Sequence, residues 1–416
     1  MADKDIIKLI IAENQQFVKS IKFHKRDYFF EDNLNYVLVG LRRAGKSYLL
    51  FQQIHHLLDN GHDIEEILYF NFEDDRLGMM TISDLDTIKT AYEEMYSSTP
   101  IFFLDEIQIV NGWEKFARRL ADRGYRVFVT GSNAKMLSSE IATTLGGRYM
   151  VTEVYPLSFK EYLRFKNIDL EERNVLYSHA VDLSRHMESY FQYGGLPEVG
   201  ERQDKRAWTS GLFNKIFFGD LISRYQIRND YALNILVRKL AESVKQPLSY
   251  SRMAAIVSST GKKVSTDTVI DYVEYMKESW LILPIENICA KLADKASNRK
   301  YYFIDNGILN LFLTDPVSSL LENIVAIQLC KQYSNNVFFY NDKVEVDFYI
   351  PESETAIQVT HSLNDASTLD REIEALKKIG NHLPVKKRIM ITRNENTQFE
   401  DSQIEVLSLK KWLLQK

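Results

Sequence analysis

The chain has little cysteine, and the two cysteines it has lie far apart. Among 416 residues only Cys289 and Cys330 occur, and neither belongs to a CxxC pair. A disulfide framework or a structural zinc site needs several cysteines at close spacing, so the pattern argues against both. Such sparse thiols are typical of a reducing compartment, and we expect a cytoplasmic protein.

Long hydrophobic runs are missing as well. No stretch approaches the ~18–20 apolar residues that are needed to span a bilayer. The short apolar patch within MADKDIIKLIIAENQQ is interrupted by Lys8 and Glu13, unlike the core of a signal peptide. We therefore expect neither a membrane segment nor a secretion signal.

The chain also lacks a strong excess of charge. The 52 basic and 57 acidic residues give a formal net charge of −5, which argues against a basic nucleic-acid coat but leaves a local basic face open. The hydrophobic fraction of 45% and the charged fraction of 26% are ordinary for a globular protein. The length predicts roughly two to four domains.

The clearest functional motif is YVLVGLRRAGKS, residues 36–47. The apolar run Val37–Val39 ends at Gly40, and the following residues fit G-x-x-x-x-G-K-[ST] before a periodic, helix-like run. Glycines let successive N–H groups turn toward phosphate oxygens, and the helix adds its positive N-terminal end. We expect this loop to bind ATP through the following residues: Gly40, Leu41, Arg42, Arg43, Ala44, Gly45, Lys46, Ser47 and Tyr48.

Two of these residues have more specific predicted roles. Lys46 is expected to reach the β- and γ-phosphates and to act in catalysis, and the Ser47 hydroxyl is expected to ligate Mg²⁺. ATP and Mg²⁺ are therefore the expected cofactors.

A second motif begins at Ile101, where four large apolar residues precede two carboxylates. The run is typical of a strand that is covered on both faces, and Asp105 and Glu106 follow at its end. In an ATPase, Asp105 holds the Mg²⁺ shell and Glu106 polarises the attacking water as general base. A charged strand-to-loop transition is the alternative, but the intact phosphate loop upstream favours the ATPase interpretation.

Two further catalytic candidates come later in this part of the chain. The apolar strand that ends at Thr130 is followed by Ser132 and Asn133, either of which can contact the γ-phosphate, although Asn133 also suits a helix cap. Arg148 follows two glycines and fits either an arginine that acts on a neighbouring copy's nucleotide or an ordinary salt bridge. The acidic run Glu73–Asp75, at the carboxyl end of a predicted strand, fits either a group that faces the nucleotide or a solvated turn, and the turn is favoured.

The chain alternates strands and helices as far as Phe159, which predicts a parallel sheet with helices on both faces. Residues 158–245 are helix-rich, with a break at Tyr193–Pro197 (YGGLP). Residues 248–286 are typical of a winged helix, with Arg252, Lys262 and Lys263 near its turn, so contact with DNA and contact with a protein both stay open.

A second constellation lies near the C-terminal end. Glu345 and Asp347 share one face of a predicted strand, and Gln358 follows on the next strand, with Glu322 as a further acidic candidate. A nuclease of the PD-(D/E)xK kind would use such oxygens for Mg²⁺ and would carry a lysine where this chain has Thr360. We expect a nuclease-like fold whose activity is lost or weak.

The predicted fold class is thus α/β: a P-loop NTPase parallel sheet with a helical lid, then a winged helix and a C-terminal α/β nuclease-like domain. The predicted divisions are an N-terminal amphipathic helix (1–30), the P-loop core (31–160), the lid (161–245), the winged-helix-like unit (246–290) and the nuclease-like domain (291–416).

The ordered motifs resemble those of a family of bacterial and archaeal AAA+-type P-loop ATPases. Its members join such a core to a winged helix and a restriction-endonuclease-like domain of unknown function, and the resemblance covers essentially the whole chain. Many relatives have Glu-Val-Lys where this chain has Gln358-Val359-Thr360. The motifs are Gly40–Ser47, Phe102–Gln108 (FFLDEIQ), Thr130–Ala134 (TGSNA), Gly147-Arg148, Tyr155–Phe159 (YPLSF), Gly194–Pro197, Phe303–Gly307 (FIDNG), Glu322–Val325 (ENIV) and Glu345–Phe348 (EVDF).

The sequence therefore predicts Mg²⁺-dependent ATP hydrolysis that drives a conformational switch coupled to a DNA or protein partner. One alternative is a nucleotide-gated DNA or protein adaptor with little turnover, and a less favoured one is an ATP-gated nuclease. A homo-oligomer fits the loop-borne Arg148, and the sequence leaves the oligomeric state open.

Overall fold

The computed structural model describes residues 3–137, 139–168, 180–261, 263–334, 336–363, 366–394 and 403–415. The chain forms two compact units, Met1–Tyr155 and Pro156–Lys416. No helix within these described ranges is long and apolar enough to cross a membrane.

The N-terminal unit is built on a parallel sheet. Its described strands stand in the order β2-β3-β4-β1-β5, and every neighbouring pair is parallel, as the alternating pattern predicts. The strands are β1 (Asn35–Val39), β2 (Ile67–Asn71), β3 (Ile101–Asp105), β4 (Val127–Gly131) and β5 (Tyr149–Glu153).

Four of these strands are largely buried, including the edge strand β2. All five residues of β3 and of β4 are buried, because these central strands are covered on both faces. Rings stack across adjacent strands here, with centroids 4.8 Å apart for Phe103 and Phe128 and 5.6 Å apart for Tyr36 and Phe128. The edge strand β5 has no fully buried residue.

Helices cover this sheet. The first packs its apolar stripe inward, and the Gln15 amide donates to the backbone oxygens of Ile64 and Ile67 at the start of β2. The helix after the phosphate loop stops at Asn60, before Gly61 with φ +95°. The helices are Lys4–Ser20, Lys46–Asp59, Ile82–Met95, Trp113–Asp122 and Ser139–Leu145, with 3₁₀ turns at Ile64–Glu66, Asp75–Leu77, Ile107–Ile109 and Ala134–Leu137.

The C-terminal unit contains a mixed sheet in the order β13-β12-β11-β10-β9-β7-β8-β6. The pairs β7–β9, β11–β12 and β12–β13 are parallel, and the other neighbours are antiparallel. Its strands are β6 (Leu248–Ser249), β7 (Ile282–Asn287), β8 (Asn298–Phe303), β9 (Phe338–Asn341), β10 (Glu345–Ile350), β11 (Thr355–Thr360), β12 (Lys387–Thr392) and β13 (Ile404–Ser408).

The described helices of this unit precede the sheet strands or alternate with them. The chain also has a π-helical stretch at Ile216–Ser223 and 3₁₀ turns at Pro197–Glu201 and Ile379–Asn381. The helices are Phe159–Phe165, Ala180–Tyr193, Lys205–Lys215, Asp230–Glu242, Tyr250–Ser259, Thr266–Glu278, Leu292–Ser297, Asn306–Asn310, Val317–Tyr333, Ala366–Lys378 and Leu409–Gln415.

The strand β13 was not predicted from the sequence. The hairpin β7–β8 pairs with the later strands through the parallel pair β7–β9. One sheet therefore contains strands from both sides of residue 290. The domain divisions at 30/31, 160/161, 245/246 and 290/291 stay predictions.

Candidate nucleotide site

The phosphate loop connects the end of β1 to the helix that begins at Lys46. Gly45 has φ +97°, which suits glycine, and Arg43 adopts φ +63°, which is uncommon for a residue with a side chain. The Ala44 N–H donates to the Leu41 oxygen at 3.1 Å and closes the turn. The loop thus folds into a tight curve directly before a helix N-terminus.

Gly40 occupies the point where the chain leaves the sheet. A Cβ at this position would lie 2.2 Å from the backbone oxygen of Val154 and 3.3 Å from the Val154 Cβ. The Val154 N–H in turn donates to the Val39 oxygen, which fixes the neighbouring chain. No side chain fits here without moving backbone.

The side chain of Lys46 is buried inside the curve of the loop. Its Nζ donates to the Gly40 and Leu41 oxygens at 3.2 Å each and lies 3.6 Å from Oε1 of Glu106. Lys46 of the phosphate loop and Glu106, which follows β3, therefore lie in the same site. This site lies at the carboxyl ends of β1 and β3, where α/β sheets bind ligands.

Asp105 ends β3 and is almost fully buried. Its carboxylate accepts hydrogen bonds from the hydroxyls of Tyr69 and Thr130, and it also bonds to Ser47. Burial raises the pKa of Asp105, as does the adjacent charge of Glu106, while the three hydroxyls act in the opposite direction. The two predicted magnesium ligands, Ser47 and Asp105, are thus in contact.

Glu106 has φ +55°, in the left-handed region, and its N–H donates to the Thr130 hydroxyl at 2.9 Å. Its Oε2 accepts from the Gln108 amide. Burial opposes ionisation of Glu106, but Lys46, Gln108 and Arg42 outweigh burial and lower its pKa. The side chain is therefore a carboxylate at neutral pH, as a general base must be.

The end of β4 provides the polar residues predicted from the sequence. Ser132 is buried, and its hydroxyl is one of the groups that lower the pKa of Glu106. Asn133 is half-buried and accepts the Met136 N–H through its backbone oxygen at 3.1 Å. Both residues follow the strand beside β3, so they lie at the same edge of the sheet as Glu106.

The acidic run after β2 divides into two parts. Glu73 pairs with Arg42 of the phosphate loop at 3.1 Å, so it is more than a solvated turn residue. Asp74 caps the following 3₁₀ turn and pairs with Arg76, as expected for a turn.

Arg148 lies away from these residues. It immediately precedes β5, its backbone oxygen accepts from the Asn35 amide, and its guanidinium pairs with Asp122. Asn35 begins β1, so Arg148 is at the amino edge of the sheet and is separated from the phosphate loop by the strand length, roughly 15 Å. Within one copy, the structure does not bring Arg148 to the site.

Sequence reasoning missed the residues that support the site. Arg26 is buried, and its guanidinium donates to the Ala44 oxygen at 2.8 Å and the Tyr155 oxygen at 2.9 Å. Tyr69 and Thr130 hold Asp105. Each is a single polar residue beside or within an apolar run, and no spacing pattern identifies it.

Comparison with known proteins places the chain in a family. Residues 32–163 match a family described as "AAA domain", and residues 184–319 match one described as a domain of unknown function (DUF8612). The chain is 34% identical to the uncharacterized protein MJ1544 of Methanocaldococcus jannaschii over 391 residues, which are 91% of this chain and 86% of that protein. It is 31% identical to an uncharacterized protein of Haemophilus influenzae over 422 residues, covering 98% of this chain and 100% of that protein.

The chain belongs to the family of these two proteins, and residues 32–163 match the AAA domain. This domain and the parallel strand order confirm the α/β P-loop fold predicted from the sequence.

Among solved structures, the chain is similar to the Walker-type ATPase PABY2304 of Pyrococcus abyssi, with 14% identity and a TM-score of 0.42. The alignment covers 75% of this chain and 96% of that chain. It is also similar to the Aeropyrum pernix ORC1 protein in complex with DNA, with 13% identity, coverage of 76% and 94%, and a TM-score of 0.29. The fold assignment depends on the strand order and not on these alignments.

Proposed function

We propose that the N-terminal unit binds ATP with Mg²⁺ and hydrolyses it, and that turnover drives a conformational switch that acts on a partner. One observation carries this proposal: the Lys46 ammonium lies between the phosphate-loop oxygens and the Glu106 carboxylate, with Ser47 and Asp105 in contact beside them. Phosphate binding, metal ligation and general base catalysis need these groups at one sheet edge.

Each side chain has a defined task in this proposal. The oxygen-only pair of Ser47 and Asp105 suits Mg²⁺, which would neutralise charge on the phosphates when bound. Lys46 exchanges its two long bonds to loop oxygens for bonds to phosphate oxygens. Glu106, which is ionised, accepts a proton from the attacking water, and Ser132 or Asn133 contacts the γ-phosphate.

The proposal is tested with two substitutions in the full-length protein. Lys46→Ala is expected to abolish nucleotide binding, because the loop loses its only inward ammonium among the described residues. Glu106→Gln is expected to retain binding and to lower phosphate release by about 10²–10⁴-fold, since the base is lost and the shape is kept. Fluorescent-nucleotide titration and phosphate-release assays measure the two effects.

Matched controls come from the helix Trp113–Asp122 of the same unit. Lys115→Ala and Glu114→Gln make the same chemical changes outside the site and are expected to leave both quantities unchanged. Unchanged turnover in Lys46→Ala and Glu106→Gln would disprove hydrolysis at this site. Tight binding by the unaltered protein without phosphate release would instead support the adaptor.

We further propose that the partner is a protein that contacts the C-terminal unit. The helices Asp230–Glu242, Tyr250–Ser259 and Thr266–Glu278, followed by the hairpin β7–β8, have the order of a winged helix. The last of these helices, which would enter the DNA groove, carries an excess of negative charge that would repel a phosphate backbone. Its charged residues are Asp267, Asp271, Glu274, Lys277 and Glu278.

The basic residues near the turn do not offset this charge. Arg252 and Lys263 are exposed, and Lys262 lies outside the described residues. Phosphate release measured with and without duplex DNA tests the assignment. We expect no stimulation by DNA, and a clear stimulation that disappears at high salt would show that DNA is the partner.

A further inference from the structure

A buried lysine lies inside the acidic cluster of the C-terminal unit. Glu345 and Asp347 come from β10 and Glu322 from the helix Val317–Tyr333, as the sequence predicts for a nuclease-like site. Their oxygens surround Nζ of Lys300 on β8, at 3.5 Å from Glu345, 3.2 Å from Asp347 and 3.3 Å from Glu322.

The surroundings of Lys300 act on its pKa in two opposite directions. The Lys300 side chain is completely buried, which disfavours the ammonium form, but Glu322, Asp347 and Glu345 outweigh burial and raise its pKa. Glu322 also accepts a hydrogen bond from the Tyr302 hydroxyl at 2.7 Å. The three carboxylates thus favour the ammonium form of Lys300.

The other predicted metal ligands are already engaged. Oδ2 of Asp347 accepts the Val359 N–H at 2.9 Å, so both of its oxygens have partners. The Gln358 side chain, which stands where nucleases carry a carboxylate, accepts the Asp347 N–H through its oxygen at 3.1 Å and donates its amide to Glu372. The oxygen of Gln358 thus serves the backbone rather than an ion.

Nζ of Lys300 occupies the position between the three carboxylates where a shared divalent ion would bind. Mg²⁺ needs oxygens at ~2.0–2.1 Å in an octahedral arrangement, and an ion placed so near to Glu322 and Asp347 would overlap Nζ of Lys300. Over the described ranges, no group of three or more His, Cys, Asp or Glu side chains is arranged to hold a metal ion. The cluster therefore does not fit the ion that a nuclease-like fold implies.

We propose that the Lys300 ammonium takes the place of the divalent cation in this cluster. The lysine acts as an internal cation that offsets part of the charge of the carboxylates, and the cluster binds no Mg²⁺. The site then differs from a PD-(D/E)xK nuclease in two separate ways. Thr360 on β11 replaces the motif lysine, and Lys300 on β8 occupies the place of the metal ion.

The cluster is accessible to ions from solution once the ammonium is removed. A cavity of about 640 Å³ opens onto Glu322, Glu345 and Asp347. Lys300→Met keeps the length of the side chain and removes its charge. This variant is expected to acquire a divalent-ion site, because the carboxylates lose their compensating charge and keep their access to solvent.

The experiment measures Mn²⁺ binding to nucleotide-free, full-length protein by electron paramagnetic resonance of the free ion. We expect Lys300→Met to bind one more Mn²⁺ than the unaltered protein, with at least a tenfold gain in affinity. The double variant Lys300→Met/Asp347→Asn is expected to lose the added ion, which separates it from any ion at the phosphate loop. Mn²⁺ should also raise the Tm of Lys300→Met and leave that of the unaltered protein unchanged.

A second comparison avoids the risk that Lys300→Met does not fold. Glu345 is half exposed, so Glu345→Gln is expected to fold and to bind Mn²⁺ just as the unaltered protein does. Weaker Mn²⁺ binding in Glu345→Gln would overturn the proposal, because it would show that the natural cluster holds the ion. DNA cleavage by the unaltered protein with Mg²⁺ or Mn²⁺ that Asp347→Asn abolishes would overturn it equally.

Discussion

Replacement of Asp305 by asparagine tests how two distant motifs of the C-terminal unit are joined. Asp305 is almost completely buried at the start of the helix Asn306–Asn310. Its Oδ2 accepts the Gly195 N–H at 2.8 Å, and its Oδ1 accepts the N–H groups of Gly307 and Ile308 at 2.8 and 3.3 Å. The carboxylate thus connects the YGGLP break to the FIDNG motif.

The burial of this carboxylate makes stability depend on pH. Burial raises the pKa of Asp305 from its ordinary value of 3.8 to about 6, against the opposing effect of the backbone N–H groups. The folded state then binds this proton more tightly than the unfolded chain does, so the contribution of Asp305 to stability falls as pH rises through this range. The full difference corresponds to roughly 3 kcal/mol, of which roughly 2 kcal/mol is lost between about pH 4.5 and about pH 7.5.

The assay is urea unfolding of both proteins across this pH range. Trp208, Trp280 and Trp412 all lie in the C-terminal unit, so tryptophan fluorescence reports mainly on its unfolding. The free energy of unfolding of the unaltered protein minus that of Asp305→Asn should decrease by roughly 2 kcal/mol as pH rises. Subtraction removes the contribution of the other titrating groups.

The control is Asp342→Asn, which replaces an exposed aspartate of the same unit. Its difference from the unaltered protein is the reference against which the decrease for Asp305→Asn is compared. A difference for Asp305→Asn that is flat, or that increases with pH, would refute the reasoning, because it would mean that the backbone N–H groups outweigh burial.

Two further predictions concern the N-terminal unit. Gly40→Ala is expected to lower the Tm and weaken nucleotide binding at least tenfold, since its Cβ would lie 2.2 Å from the Val154 oxygen. Gly211→Ala, whose Cβ meets nothing within 4 Å and which lies inside the helix Lys205–Lys215, should leave nucleotide binding unchanged and should not lower the Tm. Thermal melts and fluorescent-nucleotide titrations decide this. Arg148→Ala is expected to preserve nucleotide affinity and to lower phosphate release by about 10³-fold or more in self-associated protein, if it acts on a neighbouring copy. Light scattering in the presence of ATP identifies the self-associated protein. Undiminished phosphate release by self-associated Arg148→Ala would rule out action of Arg148 on a neighbouring copy.

That Lys46, Asp105 and Glu106 come together was predictable, because the pattern that identifies them is local spacing. The loop that contains Lys46 and the carboxylates Asp105 and Glu106 each follow an apolar strand, and parallel strands bring their carboxyl ends to one edge. The strand order was not predictable, because it depends on which connections cross the sheet. Tyr69 and Thr130 were missed since a single hydroxyl near a strand end has many ordinary roles.

The C-terminal unit shows a different limit of sequence reasoning. Thr360 was read directly from the motif, but the lysine that fills the cluster is Lys300, which lies sixty positions earlier in the sequence NRKYYF. The pairing of β7 with β9 joins the hairpin to the later strands and brings the two regions into one sheet. Such long-range pairing has no local signal.

The contacts of Arg26 have a mechanical consequence. The Arg26 guanidinium donates hydrogen bonds to the Ala44 oxygen in the phosphate loop and to the oxygen of Tyr155, the last residue of the N-terminal unit. The loop and the point where the chain exits this unit therefore share a rigid tether. If the loop binds phosphate as proposed, a displacement of Ala44 would reach Tyr155 through the two hydrogen bonds of Arg26.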